Sequence, residues 1–265
     1  MKEWFPFLNR GPMVAVIRLS GTIGAGGRAQ LSDEALAPVI EKAFKRGKPV
    51  AVALVINSPG GSPVQSSLIA ARIRRLSDEK GIPVHAFVED VAASGGYWLA
   101  TAADDIWVDE SSVVGSIGVI AATFGAHVFL ARQGVERRVH TAGKSKSMLD
   151  PFLPEKKEDV ARLKGLLEQM HETFKAQVTS RRGDRLAKSE DLFTGEFWVG
   201  SRAVELGLVD GVAHIAPKLK ALYGEKVRFT RYGRKRSLFQ RFGASMAEDA
   251  LGAIEERAAY ARFGL

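Results

Sequence analysis

Two short valine-rich runs, residues 13–19 (MVAVIRL) and 49–56 (PVAVALVI), flank a segment with helical spacing, and this alternation restricts the fold more than any other feature. Apolar runs of this length, bounded by Gly, Ser and Pro, are what strands buried on both faces of a parallel sheet require. Between them, residues 32–46 place Ala35, Leu36, Val39, Ile40, Ala43 and Phe44 at helical spacing, with acidic residues early and Lys/Arg late, as the helix dipole favours. The unit reads as βαβ. The alternation continues with a helix over 64–76, a strand over 83–88, a helix over 95–103 and a strand over 105–108. An α/β fold with helices packed on a parallel sheet follows.

Beyond a Gly/Ser/Pro-containing loop at 141–154, residues 155–182 predict a long amphipathic helix with Val160, Leu163, Leu166, Leu167, Met170 and Phe174 on one face. A further helix is expected over 199–206, closed by Gly207, and helical spacing returns over 237–263 in Leu238, Phe242, Met246, Ala250 and Ile254. The expected organisation is an N-terminal segment (1–12), one domain (13–225) and a basic, amphipathic C-terminal extension (226–265).

Composition narrows the chemistry. The 265 residues include no cysteine, which excludes thiol nucleophiles, disulfides, thiolate zinc sites and iron–sulfur clusters. The net charge of +8 is concentrated between Arg181 and Arg241, where 14 Lys/Arg face 7 Asp/Glu. A solvated surface is the default reading of such a stretch, contact with an anionic membrane is the alternative, and no nucleic-acid signature accompanies it. Residues 1–8 lack the apolar core of a signal peptide. Residues 113–131 carry no charged side chain over 19 positions, close to membrane-spanning length, but their Gly, Ser, Thr and His residues predict a buried strand, turn and helix. A cytoplasmic or peripheral-membrane location is therefore expected.

Two strand-to-helix turns are candidate sites. Asn57-Ser58-Pro59-Gly60-Gly61-Ser62 follows a buried strand, where open α/β sheets bind ligands, and its glycines allow a sharp turn with exposed amides. Alone the motif is weak, because a Pro-Gly-Gly turn is most often only a turn. Ala93-Ser94-Gly95-Gly96-Tyr97 puts a serine at a helix start, a position usually filled by an N-cap; the functional alternative is an exposed hydroxyl with the Gly95 amide beside it. A serine nucleophile needs a base. None of His85, His127, His140, His171 and His214 sits in a recognisable triad pattern, whereas Gly143-Lys144-Ser145-Lys146-Ser147 offers lysines. A lysine serves as base only when burial or a neighbouring cation lowers its pKa from about 10.4 to about 7 or 8, so ordinary loop cations are the competing reading.

Taken together and in order, Asn57-Ser58-Pro59-Gly60-Gly61, Ala93-Ser94-Gly95-Gly96-Tyr97, Gly115-Ser116-Ile117-Gly118-Val119, Gly143-Lys144-Ser145-Lys146-Ser147 and Leu206-Gly207-Leu208-Val209-Asp210 resemble signal peptide peptidase A and its S49 serine peptidase relatives over residues 14–212. The resemblance implies a Clp protease/crotonase-like spiral of ββα units, here with a C-terminal helical appendage. It implies a Ser-Lys dyad of Ser94 as nucleophile and Lys146 as general base. Gly61 and Gly95 match the oxyanion-hole positions, and Ser116 matches a serine that orients the lysine. It also implies a ring-shaped homo-oligomer, with the dyad completed across a subunit boundary as one arrangement.

The function expected is hydrolysis of signal-peptide remnants or unfolded, membrane-derived polypeptides through an acyl-enzyme, with no metal or other cofactor. The alternatives are an acyl-CoA enzyme on the related superfold and a non-catalytic scaffold that binds anionic membrane or nucleic acid through the basic stretch.

Overall fold

The structure is a computed structural model that describes residues 11–25, 30–143, 145–188, 191–233, 254 and 256–265. Lys144 and most of the 237–263 helical stretch lie outside the described residues.

The βαβ unit forms as its pattern dictates. Strand β1 (Met13–Ser20) leads to helix α1 (Asp33–Lys45) and strand β2 (Ala51–Ser58). The Ser32 side chain accepts from the Ala35 amide and caps α1, while Asp33 and Glu34 open the helix and Lys42 and Lys45 close it. Helix α2 (Pro63–Lys80) starts with Pro63 after the Ser62 cap and ends at the left-handed Gly81. Strand β3 (Val84–Ala93), helix α3 (Gly95–Ala100) and strand β4 (Asp105–Val108) follow.

Odd-numbered residues of β1 (Ala15, Ile17, Leu19) bury with Leu36, Ile40 and Phe44 of α1 and Ile69 and Ile73 of α2 in the main core. Even-numbered Val14 and Val16 bury on the opposite face under Leu219 of helix α7 (Ile215–Tyr223). That two-sided burial is why both strand patterns are apolar runs rather than alternations.

The sheet has eight strands among the described residues, ordered from β6 (Phe197–Val199) and β5 (Val113–Gly115) through β3, β2 and β1 to β8 (Arg228–Tyr232). Strand β3 forks: His85–Phe87 pair with β4, while Val91–Ala93 pair with β5. Strand β7 (Gly211–Val212) extends β4, and β6 joins β5 as the sheet's antiparallel pair. Strand β8, in the stretch expected to form an extension, pairs in parallel with β1. Helix α6 (Gly200–Glu205) is shorter than the 199–206 expectation because Phe197–Val199 extends into β6.

The uncharged stretch 113–131 differs from its expectation. Only its beginning is core: Val113, Val114 and Ile117 are buried, whereas Ile120, Phe124, Val128 and Phe129 are exposed. Helix α4 (His127–Arg132) has six residues and buries none of them, so it is too short to hold an apolar stripe against the sheet. Helix α5 (Lys157–Arg182) likewise buries Phe174, Val178 and Arg182 near its end, while Leu166 and Met170 stay exposed. Residues 119–143 and 145–153 are exposed or half-buried throughout, and we refer to them as the arm. Among the described residues no helix is long and apolar enough to cross a membrane.

Candidate active site

Three strands deliver the candidate residues to one end of the sheet. Ala93 at the end of β3 is the register partner of Gly115 at the end of β5, so Ser94 and Ser116 are the first residues beyond two paired strands. Ser58 pairs with Ala92 through an irregular register, which brings the Pro59-Gly60-Gly61 turn to the same level. Carboxyl ends of parallel strands converge in this way, and connections there are free to carry chemistry.

Both serines are held in unusual backbone conformations. Ser94 has φ 52° and ψ −122°, and Ser116 has φ 51°. Residues other than glycine rarely adopt positive φ, and such strain persists only where surrounding structure holds it. Here the Ser94 amide donates to the Gly115 carbonyl at 2.8 Å, and the Ser116 amide donates to the Glu196 carbonyl at 2.6 Å. Ser94 occupies the N-cap position of α3, yet its side chain makes no capping hydrogen bond. The bland reading of this serine thus fails on geometry, and its half-buried hydroxyl is left for other work.

The glycine turn lies against it. Gly60 (φ 101°) is so close that a Cβ there would sit 2.8 Å from the Ala93 carbonyl oxygen, the Gly95 nitrogen and the Ser94 Cβ. At Gly61 (φ 143°) a Cβ would meet the Ile23 carbonyl oxygen at 2.1 Å. Only glycine fits both positions, for conformation and for space. Neither the Gly61 nor the Gly95 amide has a backbone acceptor among the described residues.

Ser94, Gly61, Gly95 and Ser116 line one cavity of about 490 Å³. Trp98, one helical turn after Ser94, and Phe174 of α5 stack at 5.0 Å between ring centroids, and with Met170, Val119 and Ile120 they make an apolar wall. Ala259 and Arg262 near the C-terminus complete the lining. The wall could be anticipated only in part: Trp98 follows Ser94 at helical spacing, whereas the C-terminal residues carry no local signal.

Lys146 stands apart. It lies in the arm, exposed, and is not among the residues that line the cavity. Histidines do not take its place. His85 has an acidic partner, Asp105 at 2.8 Å, and its other nitrogen meets the Tyr223 hydroxyl at 2.7 Å; His214 pairs with Asp109 at 2.8 Å. These partners lie 20 and 105 residues away, which is why sequence spacing hides them. Neither histidine lines the Ser94 cavity. His127, in the stretch expected to be buried, is half-buried at the start of α4. No cluster of His, Asp or Glu able to hold a metal occurs among the described residues.

Helix α3, which carries Trp98 to the cavity, is also hydrogen-bonded from its buried side. Tyr97, fully buried in α3, donates its hydroxyl to the Leu208 carbonyl at 2.7 Å, and burial raises its pKa. Nearby, Arg182 and Arg185 converge on Asp210, whose carboxylate also accepts from the Ile106 amide. Burial acts to raise the Asp210 pKa, but the hydrogen bond and charge of Arg182 prevail and hold it below its ordinary value.

The sequence pattern that describes peptidase family S49 matches residues 77–223. The chain is 46% identical to the Brucella melitensis protein named "Na(+)/H(+) antiporter NhaA" over 95% of its own length, and spans 37% of that relative. It is 31% identical to the Haemophilus influenzae protein named "Probable protease SohB", covering 91% of this chain and 67% of the relative. Among solved structures, the 1510-N membrane-bound stomatin-specific protease superposes in two variant forms. A serine-to-alanine variant gives a TM-score of 0.51 at 15% identity, covering 85% of this chain and 99% of the other. A lysine-to-alanine variant in complex with a substrate peptide gives 0.52 at 14% identity, covering 92% and 98%. The fold is Clp protease/crotonase-like.

Proposed function

The chain belongs to peptidase family S49, and from that premise we propose that it is a serine peptidase whose nucleophile is Ser94 and whose general base is Lys146. The observation that carries this reading is the backbone of Ser94. A strained turn at the end of a strand presents an uncapped hydroxyl to a cavity that two glycine amides also reach. The two solved forms of the stomatin-specific protease, one altered at a serine and one at a lysine, support the same pairing.

In this mechanism Ser94 Oγ attacks the scissile carbonyl carbon while its proton passes to neutral Lys146. The carbonyl oxygen becomes an oxyanion that the Gly61 and Gly95 amides receive. The lysine then gives its proton to the departing amine, leaving an ester on Ser94. Water, deprotonated by the same lysine, attacks that ester, and the lysine returns the proton to the departing Ser94 Oγ, which restores the hydroxyl. Ser116, beside Ser94 across the ladder, is the residue that orients the lysine. The substrates are peptides in extended or unfolded form, including remnants from membranes, and the apolar wall of Trp98, Met170 and Phe174 suits small or apolar side chains at the cleavage position.

A lysine in open water keeps its proton at neutral pH, so the base role requires that Lys146 be drawn out of solvent. We place this step in assembly. The arm that carries Lys146 also exposes Ile120, Phe124, Val128, Phe129 and Val135, an apolar surface that a second copy in a homo-oligomeric ring would cover, completing the dyad across the boundary. Ion transport, which the name of the Brucella relative describes, does not fit the described part of this chain, where no helix is suited to cross a membrane. The basic 226–265 stretch is a candidate for peripheral contact with anionic lipid; its Arg234, Lys235 and Arg236 lie outside the described residues.

A serine-reactive fluorophosphonate probe tests the reading directly. Ser94 should be the labelled residue by mass spectrometry, and Ser94→Ala should abolish both labelling and peptide hydrolysis while leaving the fold intact. Hydrolysis near the wild-type rate in purified Ser94→Ala would remove Ser94 from the mechanism.

A further inference from the structure

The last residues of the chain form part of the cavity wall, and their spacing divides them between two tasks. Tyr260 and Phe263, three apart, pack on the small cluster of Val91, Ala93 and Val113 beneath the site. The Tyr260 hydroxyl donates to the Asn57 carbonyl at 2.6 Å, and the Phe263 ring meets Phe197 edge-on at 5.3 Å. Ala259 and Arg262, also three apart, line the cavity instead. The helical residues 256–261 end just before Arg262, and the turn that follows sets Phe263 on the strand cluster and Arg262 on the cavity side. The helical turn at 256–261 is therefore anchored to the strand ends that carry Ser94 and Ser116, and the anchor holds Arg262 against the cavity.

Arg262 is the one ionisable side chain that lines the cavity among the described residues. The other lining groups are glycines, prolines, hydroxyls and the apolar wall. No carboxylate among the described residues pairs with Arg262, and its side chain is exposed. A guanidinium keeps its charge at every physiological pH and presents a planar donor fork matched to a carboxylate. Resting on the peptidase reading of the same cavity, we propose that Arg262 is a specificity-determining residue that receives a carboxylate of the bound peptide.

That carboxylate comes either from an Asp or Glu side chain a few residues from the cleaved bond or from the peptide's free C-terminus. The position that meets the apolar wall is a separate subsite, so an apolar preference there and an acidic preference at the Arg262 end are compatible. The interaction is partly open to water, so it ranks peptides rather than deciding whether they bind.

Binding to the Ser94→Ala protein, followed by fluorescence anisotropy, tests this without requiring turnover. The probes are one extended peptide, its Glu-to-Gln replacements at successive positions, and its C-terminal acid and amide forms. One pair should show about a fivefold preference for the carboxylate, the scale of a partly exposed ion pair. Which pair shows it identifies the source of the carboxylate. The ratio should fall to near one in Ser94→Ala/Arg262→Gln, invert in Ser94→Ala/Arg262→Glu and shrink with added salt. A ratio near one for every pair, or a preference that survives Arg262→Gln, would overturn the inference and leave the nucleophile assignment standing. Conversely, failure of the wild type to label at Ser94 would defeat that assignment while the binding ratios still report on Arg262. Absence of saturable binding by any peptide of the set would likewise overturn the inference.

Discussion

The cleft and the arm are built on opposite principles. In the cleft, Ser94, Ser116 and the Gly60-Gly61 turn are placed by parallel ladders, close glycine contacts and a buried helix, so one chain determines their geometry. In the arm, α4 buries nothing, Phe124 is 71% exposed, and Lys146 lies in solvent. The proposed nucleophile thus sits on a tightly packed part of the molecule and the proposed base on an exposed one. The lesson is that geometry intrinsic to the chain accounts for half of the proposed dyad, and the other half waits on what covers the arm.

Among changes that set the arm against the cleft, the largest effect expected is at Lys146. Lys146→Ala should lower peptide hydrolysis about 10³-fold, as loss of a general base does, whereas Lys144→Ala should leave it near wild type. Because a lysine base must be neutral to accept a proton, the wild-type rate should rise with pH. Mixing Ser94→Ala with Lys146→Ala should restore activity if the arm serves a neighbouring subunit. Exchange of subunits without recovery would place the dyad within one chain and remove the contrast between cleft and arm.

Next comes the support of the cleft. Asp210→Asn strips the buried Arg182, 3% exposed, of its carboxylate and should cost about 3 kcal/mol in urea unfolding. The same pair predicts acid sensitivity. The folded-state pKa of Asp210 lies below the ordinary 3.8, so its contribution is complete above that value and is lost as pH falls through the lower folded-state value. Asp210→Asn should therefore flatten the acid limb of the stability curve, and an unchanged limb would remove the pair from that role.

Glycine substitutions compare the regions at a positive φ in each. Gly60→Ala meets both a φ of 101° and three atoms at 2.8 Å, and should cost about 1–3 kcal/mol and reduce activity by about 10- to 100-fold through displacement of Ser94. Gly134→Ala in the arm meets a φ of 68° but no atom within 4 Å, and should cost about 1 kcal/mol with little change in rate. Equal kinetic effects would contradict the cleft's special rigidity. Smallest in the isolated chain is the pair Phe124→Ser and Phe129→Ser, expected to change subunit stability by less than about 0.5 kcal/mol. Light scattering should nevertheless show a shift toward the 28.7 kDa monomer, and an unchanged assembly would relocate the interface.

What the amino-acid order determined alone was local. Apolar runs made β1 and β2, 3.6-residue spacing and a Ser cap made α1, and Gly, Ser and Pro marked the turns at Gly60-Gly61 and Ser94. These rest on short-range sterics and periodicity, which a window of a dozen residues contains. The candidate cleft was legible to the same extent, because its residues follow strands directly. Tertiary structure decided the rest. The pairing of Ala93 with Gly115, the edge position of β8 beside β1, the partners of His85 and His214, and the placement of Arg262 on the cavity wall join residues far apart in the chain. Such contacts arise only when layers close over a shared core, and no local pattern encodes which distant surface an exposed cation or an apolar arm will meet.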